Sequence, residues 1–330
     1  MNAGPVDIHA HFAPPTTPAQ RDAFWKAMRA GCFLLDEPPH WTPEGTLAAM
    51  ERAGVRMQLL SSVVPGPVER LRPVNDYGAA LVAEFPTRFG LLAALPTDDP
   101  AACLAEIARA GEELGADGYA VATAYNGVRL ADPRLEPVWA ALDARAATVF
   151  VHPDVFAPPV LGRPSALVEV AFDTASTVTE LLYAGVLRRH RRVRLVLAHC
   201  GGALPALSGR LLALGAEAWV PNPAGLTRQE IGDQLAALHL DTAGCGSAHA
   251  IAPALAMTTA DHLVYGSDWG APCTTEESMA AARADLAANP LLTDAERDGL
   301  WQAALRLLPT AAARLAGAAV SPGEARPVPR

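Results

Sequence analysis

Four histidines and one aspartate are the residues of this chain best suited to metal chemistry. Each stands at the end of a short apolar run rich in β-branched residues, so each is predicted to project from the carboxyl end of a buried strand. Parallel barrels build their active sites at that end of the strands. Imidazole and carboxylate groups gathered there predict a metal site drawn from His9, His11, His152, His199 and Asp268.

His9 and His11 form the strongest local signal, because they occupy alternate positions of one predicted strand. Alternate side chains of a strand point to the same side, which allows two imidazoles to bind one ion. Histidine nitrogen and aspartate oxygen suit zinc and similar divalent ions, and a catalytic site keeps one position open for water or substrate. Three histidines together with one aspartate leave such a position open.

The composition is that of a globular catalytic protein. Of the 330 residues, 51% are hydrophobic and 18% are charged, which is enough apolar material for one large α/β domain or two smaller ones. The formal net charge is -9 and no segment concentrates basic residues, so we expect neither a nucleic-acid nor a membrane partner. The sequence contains no phosphate loop, dinucleotide glycine fingerprint or Gly-x-Ser-x-Gly motif, which disfavours nucleotide cofactors and serine hydrolysis.

The pattern of cysteines and the lack of a secretory pattern in the first residues favour a cytoplasmic location. The five cysteines are odd in number and form no Cys-x-x-Cys pair, which suits reduced thiols. The first residues show no secretory pattern, and no apolar run reaches membrane-spanning length. Cys200, next to His199, is interpreted as a small buried filler rather than as a nucleophile.

A single lysine, Lys26, limits the metal chemistry. A Schiff-base lysine, or a carbamylated lysine bridging two metals, would have to lie on a barrel strand. Lys26 instead falls in a segment with the pattern of a helix or loop after the first strand. We therefore predict a site with one metal ion.

Short apolar runs alternate with longer amphipathic segments along the chain. Runs of this length, separated in this way, favour a βα alternation. Eight of them match a closed barrel, so the predicted fold is an α/β protein, a (β/α)8 TIM barrel with an inserted segment after the first strand. The runs lie near Val6–His9, Val55–Val64, Phe89–Leu95, Gly118–Ala122, Thr148–His152, Val193–His199, Leu238–Asp241 and Leu263–Asp268.

Helices are predicted between these runs from capping residues and from the glycines and prolines that flank them. Asp294 is predicted as the N-cap of the helix that follows it. The predicted helices are Glu44–Ala53, Pro100–Leu114, Arg134–Ala146, Asp173–Arg189 and Ala295–Leu308.

The predicted barrel is a single domain covering residues 1–317. The segment 14–41 is longer than a simple βα loop and contains Phe24, Trp25, Phe33 and Trp41, so it is predicted to fold over the barrel mouth. It is either a lid or an aromatic patch packed on the barrel rim. The proline-rich end, residues 318–330, is predicted to be a disordered tail.

The motifs taken together resemble the amidohydrolase superfamily, in its amidohydrolase-related (amidohydrolase 2) branch. Two further motifs, Arg88-Phe89-Gly90 and Phe172-Asp173-Thr174, are similar to those of salicylate-type decarboxylases, and the similarity extends to aminocarboxymuconate semialdehyde decarboxylases. The match spans most of the chain. It rests on Asp7-Ile8-His9-Ala10-His11-Phe12, Phe150-Val151-His152-Pro153, Ala198-His199-Cys200-Gly201-Gly202, Leu240-Asp241-Thr242-Ala243 and Tyr265-Gly266-Ser267-Asp268.

The resemblance implies specific roles for the five metal-site residues. His9, His11, His152 and Asp268 would hold one divalent ion, with zinc expected and manganese as the alternative, while His199 would approach the metal-bound water or the substrate. It also implies a homodimer. The chain departs from the salicylate-type pattern after Phe-Asp-Thr, where those enzymes carry an arginine and this chain has Ala175-Ser176-Thr177. The resemblance therefore does not imply the identity of the substrate.

The predicted activity is the metal-dependent decarboxylation of a small aromatic or conjugated, salicylate-like acid. Asp268 is then a candidate proton shuttle, and His199 a candidate acid, base or charge stabiliser. One alternative is a hydrolase that attacks a lactone or amide with metal-activated water, and a second is a catalytically inert binding barrel.

Several neighbouring residues have two interpretations. Phe12 and Trp269 adjoin proposed ligands and either line the substrate pocket or pack against the barrel. Asp241 is interpreted mainly as a cap of the loop after the seventh strand, with the orientation of a ligand as the less favoured role. The remaining histidines are interpreted as surface or packing residues, with His249 within reach of the mouth; they are His40, His190, His239, His249 and His262.

Overall fold

The computed structural model describes residues 4–62, 66–154 and 158–320, with no description of the side chains of 318–320. Its strands are β1 (Val6–His11), β2 (Met57–Ser61), β3 (Phe89–Ala94), β4 (Gly118–Ala122), β5 (Ala124–Tyr125), β6 (Val128–Arg129), β7 (Thr148–His152), β8 (Arg194–Leu197), β9 (His239–Asp241) and β10 (Leu263–Val264). Eight of them form one parallel sheet in the order β1-β2-β3-β4-β7-β8-β9-β10. The short antiparallel hairpin of β5 and β6 was not predicted from the sequence.

Backbone hydrogen bonds between β1 and the segment after β10 close this sheet into a barrel. Ile8 N donates to Tyr265 O at 2.9 Å, and His11 N donates to Trp269 O at 2.6 Å. A parallel bridge joins Ala10 to Trp269 between them. The predicted (β/α)8 TIM barrel is thereby confirmed.

Helices alternate with the strands along the chain. Their bounds are α1 (Pro18–Ala30), α2 (Pro43–Ala53), α3 (Val68–Glu84), α4 (Pro100–Glu112), α5 (Glu136–Ala144), α6 (Glu169–Tyr183), α7 (Val186–Arg189), α8 (Leu204–Leu214), α9 (Arg228–Ala236), α10 (Ala248–Met257), α11 (Glu276–Ala287), α12 (Asp294–Trp301), α13 (Ala303–Leu307) and α14 (Pro309–Val320). No helix among these described residues is long and apolar enough to cross a membrane.

Two helices that the sequence predicts as continuous are each broken in two. The predicted helix over 173–189 is divided between α6 and α7, because Gly185 adopts a left-handed φ of 72° that interrupts the helical backbone. The predicted helix over 295–308 is divided between α12 and α13 at Gln302, where φ is -112°. The predicted N-cap Asp294 is also wrong, because Thr293 caps α12 and forms a capping box with Glu296.

Two of the strands that lead to site residues end earlier than predicted. The run over 193–199 forms a strand only to Leu197, because His199 turns into a left-handed backbone with φ of 53°. The run over 263–268 forms a regular strand only to Val264, and Asp268 also has a positive φ, of 63°. Two functional candidates thus stand in turns just beyond their strands.

Apolar packing closes the amino end of the barrel and leaves the carboxyl end for the site. One buried cluster joins strand residues such as Ile8 and Phe150 to Leu307, the last residue of α13, and to Leu308, which follows it. Thr148 Oγ1, at the start of β7, donates a hydrogen bond to Leu307 O at 2.6 Å. A second, larger cluster packs the outer helices against the strands.

The predicted insertion 14–41 contains α1 and the loop that follows it. Trp25 Nε1 donates to Leu35 O at 3.0 Å, and Trp41 packs edge-on against Phe12, with ring centroids 6.1 Å apart. At the other end of the chain α14 runs to Val320, beyond the predicted start of the tail at residue 318. Residues 321–330 lie outside the described residues.

Candidate active site

A β-bulge in β1 positions the first two histidines. Register pairs join Asp7 to Gln58 and Ala10 to Leu60, so β1 has one more residue than β2 over this stretch. His9 is fully buried, and its Nε2 lies 3.1 Å from His11 Nε2. Both imidazoles therefore point into one place, as alternate positions of the strand predict.

Asp241, at the end of β9, fixes the orientation of His9. His9 Nδ1 donates to Asp241 Oδ2 at 2.6 Å, and both side chains are fully buried. The other oxygen of Asp241 accepts from Ala243 N at 3.0 Å, which is the loop cap that the sequence predicts. Because Nδ1 is used as a donor, Nε2 is the nitrogen of His9 that is left for a ligand.

Asp268 brings a carboxylate to the same two histidines. Its backbone N donates to His9 O at 2.9 Å, and its Oδ1 lies 3.1 Å from Nε2 of both His9 and His11. Burial alone would raise the pKa of Asp268, but the charge of His9 and hydrogen bonds from the surrounding histidines hold it well below its usual range. Asp268 is therefore an ionised group inside the site.

The electrostatics of this buried group favour a cation. Burial alone would lower the pKa of His9, yet the carboxylates of Asp241 and Asp268 raise it to about 10. Two buried carboxylates thus face a single protonated imidazole, which leaves an excess of negative charge. A divalent cation is the species that would displace the proton from Nε2 and balance that charge.

His152 completes the cluster with a free nitrogen lone pair. Its Nδ1 donates to Pro153 O at 2.9 Å, and its Nε2 is buried without a hydrogen-bond partner among the described residues. Burial first, and then the neighbouring histidines, lower the pKa of His152 well below its usual value, so the ring is neutral. A buried acceptor without a partner is costly, and a metal ion is the natural group to satisfy it.

Four ligand atoms converge in this way. One atom from each of His9, His11, His152 and Asp268 lies within 4.8 Å of the others, and no other group of this kind occurs among the described residues. Three imidazole nitrogens and one carboxylate oxygen form a donor set that suits zinc and manganese alike. The residues fit one divalent ion.

His199 stands beside this group rather than within it. Its Nε2 lies 3.6 Å from Asp268 Oδ2, and its ring centroid lies 5.0 Å from that of His9. Its Nδ1 is buried and has no partner among the described residues. Its neighbour Cys200 is buried, and burial raises the pKa of the Cys200 thiol well above its usual value, which fits an inert filler.

The buried carboxylate of Asp7 was not singled out from the sequence. It accepts hydrogen bonds from Gln58 Nε2 at 3.0 Å on β2, from Ser267 Oγ at 2.6 Å and from Ser267 N at 2.9 Å. Asp7 thus ties β1 both to β2 and to the residue that precedes Asp268. The signal in the sequence was its place two residues before His9, in the same motif as His9 and His11.

A thiol near the carboxylate of Asp268 was also missed. Cys273 Sγ lies 3.7 Å from Asp268 Oδ2, although Cys273 as a whole residue is exposed. Burial of the sulfur and the charge of Asp268 raise the pKa of the Cys273 thiol to about 12, so it keeps its proton. No sequence pattern around Cys273 indicated this contact.

The two tentative substrate contacts occupy different environments. Phe12 is 4% exposed and packs against Trp41 and Tyr77, which places its ring in the apolar core. Trp269 is partly buried, and its Nε1 donates to Thr46 Oγ1 at 3.0 Å. Both placements agree with barrel packing, and contact with a substrate stays a prediction.

The remaining histidines lie outside the four-residue group. His190 contacts Glu136, with Nε2 and Oε1 2.9 Å apart, and His239 stacks on His262 with centroids 4.4 Å apart. His40 and His249 are exposed. Their interpretation as surface or packing residues agrees with these positions.

Comparison with known proteins places this site in a family. The Amidohydrolase family model matches residues 6–310. The decarboxylase macB of Penicillium terrestre is 30% identical over 295 residues, which cover 80% of this chain and 83% of that protein. The 6-methylsalicylic acid decarboxylase acuB of Aspergillus aculeatus is 30% identical over 286 residues, with the same two coverages of 80% and 83%.

A solved structure has the same fold. It is the dihydroxybenzoic acid decarboxylase of Polaromonas sp. JS666 with bound manganese and the inhibitor 2-nitroresorcinol, which has a TM-score of 0.73 and 23% identity. The alignment covers 93% of this chain and 97% of that one. On the match of the family model and of relatives at 30% identity, this chain belongs to the Amidohydrolase family.

Proposed function

We propose that this chain is a metal-dependent carboxy-lyase that decarboxylates a small aromatic or conjugated acid. The observation that carries the proposal is the convergence of His9, His11, His152 and Asp268, with the buried Nε2 of His152 left without a partner. The matched relatives are named as decarboxylases, which favours carbon dioxide release over hydrolysis of a lactone or amide.

Four side chains would hold the ion. One of them, Asp268, would share the proton chemistry with His199. When bound, a divalent cation orients an acid substrate and draws negative charge away from the carbon that loses its carboxylate. Asp268 would offer Oδ1 to the ion and keep Oδ2 on the side of His199, 3.6 Å from its Nε2. This proximity supports the proposal that Asp268 and His199 pass a proton between them.

The reaction consumes one proton, which comes from solvent. The bond between the ring carbon and the carboxylate breaks, carbon dioxide leaves, and the electron pair left on the carbon takes up the proton. Because the Asp268 carboxylate is ionised, we propose that it first receives this proton by way of His199, which acts as acid, base or charge stabiliser beside it, and then delivers it to the carbon. Because His199 stands outside the four-residue group, its role is separable from metal binding.

The substrate class is salicylate-like. The relatives named for 6-methylsalicylic acid and the fold neighbour named for dihydroxybenzoic acid support an aromatic acid with an ortho hydroxyl. The test is to incubate protein loaded with zinc or manganese with salicylate, 6-methylsalicylate and 2,6-dihydroxybenzoate and to measure carbon dioxide. Release from at least one acid is expected, whereas a failure across the panel together with hydrolysis of a lactone would contradict the proposal.

For the native ion we propose zinc, with manganese as its competitor. The donor set of three imidazoles and one carboxylate suits both ions, and the related decarboxylase structure contains manganese. Elemental analysis of protein purified without chelators or added metal decides between them, because the ion that copurifies at one per chain is the native one.

The oligomeric state is a further proposal. Four apolar side chains in the segment that follows β7 and enters α6 are more than half exposed, and we propose this surface as the contact of a homodimer; they are Val160, Leu161, Leu167 and Phe172. Light scattering on a sized fraction tests the dimer.

We also propose a cytoplasmic location, because all five cysteines are free thiols.

The segment 14–41 is proposed as a lid on a single barrel domain covering 1–317. Its last aromatic residue, Trp41, packs on Phe12, which directly follows β1 and the histidines His9 and His11. Hydrogen exchange of this segment with and without 2-nitroresorcinol tests the lid, because closure over a ligand slows exchange and a fixed packing patch shows no change.

A further inference from the structure

The loop that follows Asp268 folds back onto it. Thr274 Oγ1 donates to the backbone oxygen of Asp268 at 2.8 Å, and Ala271 N donates to the same oxygen at 3.3 Å. This turn brings Cys273 Sγ within 3.7 Å of Asp268 Oδ2, a distance at which a thiol donates a hydrogen bond. The two oxygens of Asp268 therefore have different neighbours, with His9 and His11 at Oδ1 and the Cys273 thiol and His199 at Oδ2.

We propose that Cys273 is a positioning residue that fixes the plane of the Asp268 carboxylate. A carboxylate held by an S–H donor at one oxygen presents only the other oxygen to the four-residue group. Without the donor, the carboxylate is free to twist and to approach an ion with both oxygens or with neither. The inference rests on the proposed metal site, whose need for a ligand is shown independently by the unpartnered Nε2 of His152, a residue only 5% exposed.

The surroundings of Cys273 argue against a simple packing role. Cys200 and Cys103 are buried in the apolar core, as expected for cysteines that fill space, whereas Cys273 is exposed. Its sulfur nevertheless meets the one carboxylate oxygen that also faces His199 Nε2, at 3.6 Å. The same hydrogen bond thus bears on the proposed proton transfer between Asp268 and His199.

The expected effect follows from the strength of the donor. Replacement of groups that orient a metal ligand commonly costs 10- to 100-fold in metal affinity. Because S–H is a weak donor, we expect the lower end, so C273A should bind zinc and manganese about 10-fold more weakly. C273S restores an O–H donor in the same place and should recover most of the loss.

The test measures zinc and manganese affinity by competition with a chromophoric chelator for wild type, C273A and C273S. Cys32→Ala is the matched control, because it removes a thiol at the end of α1 and should leave the affinity unchanged. At saturating metal, C273A should also show a lower kcat with an almost unchanged KM. Equal affinity of wild type and C273A, with both folded by circular dichroism, would overturn the inference and leave the proposed function standing.

The experiment distinguishes a failure of the proposed metal site from a failure of the proposed role of Cys273. Wild type that binds neither ion would overturn the proposed metal site and the role of Cys273 together. A loss in C273A that C273S does not recover would overturn the hydrogen bond as its cause, because both variants lack sulfur and only one retains a donor.

Discussion

At the scale of single residues, the hydrogen bond made by one imidazole nitrogen determines which nitrogen remains free to bind a metal ion. Asp241 takes the Nδ1 proton of His9, and Pro153 O takes that of His152, so in both rings Nε2 is the nitrogen left for an ion. The predicted ligands follow from residue type and strand-end position. The contact of His9 with Asp241 joins residues 232 positions apart, and no local pattern specifies it.

Asp241→Asn tests this orientation. The variant keeps the shape of the side chain but removes the charge that holds the Nδ1 proton of His9, so metal affinity should fall by about 10- to 100-fold. Metal titration against a chelator measures it. Asp233→Asn, on the exposed face of α9, is the control, and an unchanged affinity in Asp241→Asn would exclude the orienting role.

His199→Ala separates catalysis from metal binding. Loss of an acid–base or charge-stabilising group commonly costs roughly 100- to 10,000-fold in rate, so kcat should fall in this range while the metal content stays at one per chain. His249→Ala, which changes an exposed histidine, should retain activity. Loss of metal together with activity in His199→Ala would make His199 a ligand.

At the scale of elements, the turns after the strands carry the chemistry. Apolar periodicity predicts where each strand runs, but His199 and Asp268 stand in left-handed turns that the periodicity does not reveal. The bulge in β1 is hidden for a similar reason, because it is defined by pairing with β2 and not by the residues of β1 alone. The break at Gly185 could have been anticipated, since glycine favours a positive φ.

At Gly202, both the backbone conformation and the lack of space disfavour any side chain. It has φ of 60° and ψ of -127°, and a Cβ there would lie 2.4 Å from Ala171 O in α6. Gly202→Ala should therefore lower the free energy of unfolding by about 1–3 kcal/mol, measured by urea denaturation. Gly209→Ala, in α8 with open space around it, should be neutral or slightly stabilising, and equal effects of the two changes would refute the steric account.

His239, the first residue of β9, is expected to make the free energy of unfolding depend on pH. Burial first, and then the neighbouring His262 and Arg194, lower the pKa of His239 from 6.5 to about 4. Between these values the unfolded chain binds more protons than the folded one, so the stability from this group is complete above pH 6.5 and is lost as the pH falls to 4. The loss amounts to roughly 3 kcal/mol.

His239→Leu removes this titration. The decline in the free energy of unfolding between pH 6.5 and pH 4 should be shallower than in wild type, as followed by urea denaturation at each pH. His40→Leu changes an exposed histidine and should follow the wild-type curve. A His239→Leu curve parallel to wild type would rule out His239 as a source of the decline.

At the scale of the whole molecule, the barrel brings together four side chains from three distant stretches of the sequence. Closure of β1 against the segment after β10 places Asp268 beside His9 and His11, and β7 contributes His152 from the opposite side of the sheet order. The count of apolar runs predicts this closure, and closure predicts the convergence. What the sequence could not supply is the contact of Cys273 with Asp268, which depends on the course of a loop.

The most direct test of the account is the metal content of the chain after loading with zinc and removal of free ion. Wild type should retain one ion per chain by elemental analysis, and His152→Gln should retain far less, because it removes the neutral ring whose Nε2 awaits a ligand. His249→Gln should match wild type. Equal metal in wild type and His152→Gln, or none in wild type, would contradict a single ion held by His9, His11, His152 and Asp268.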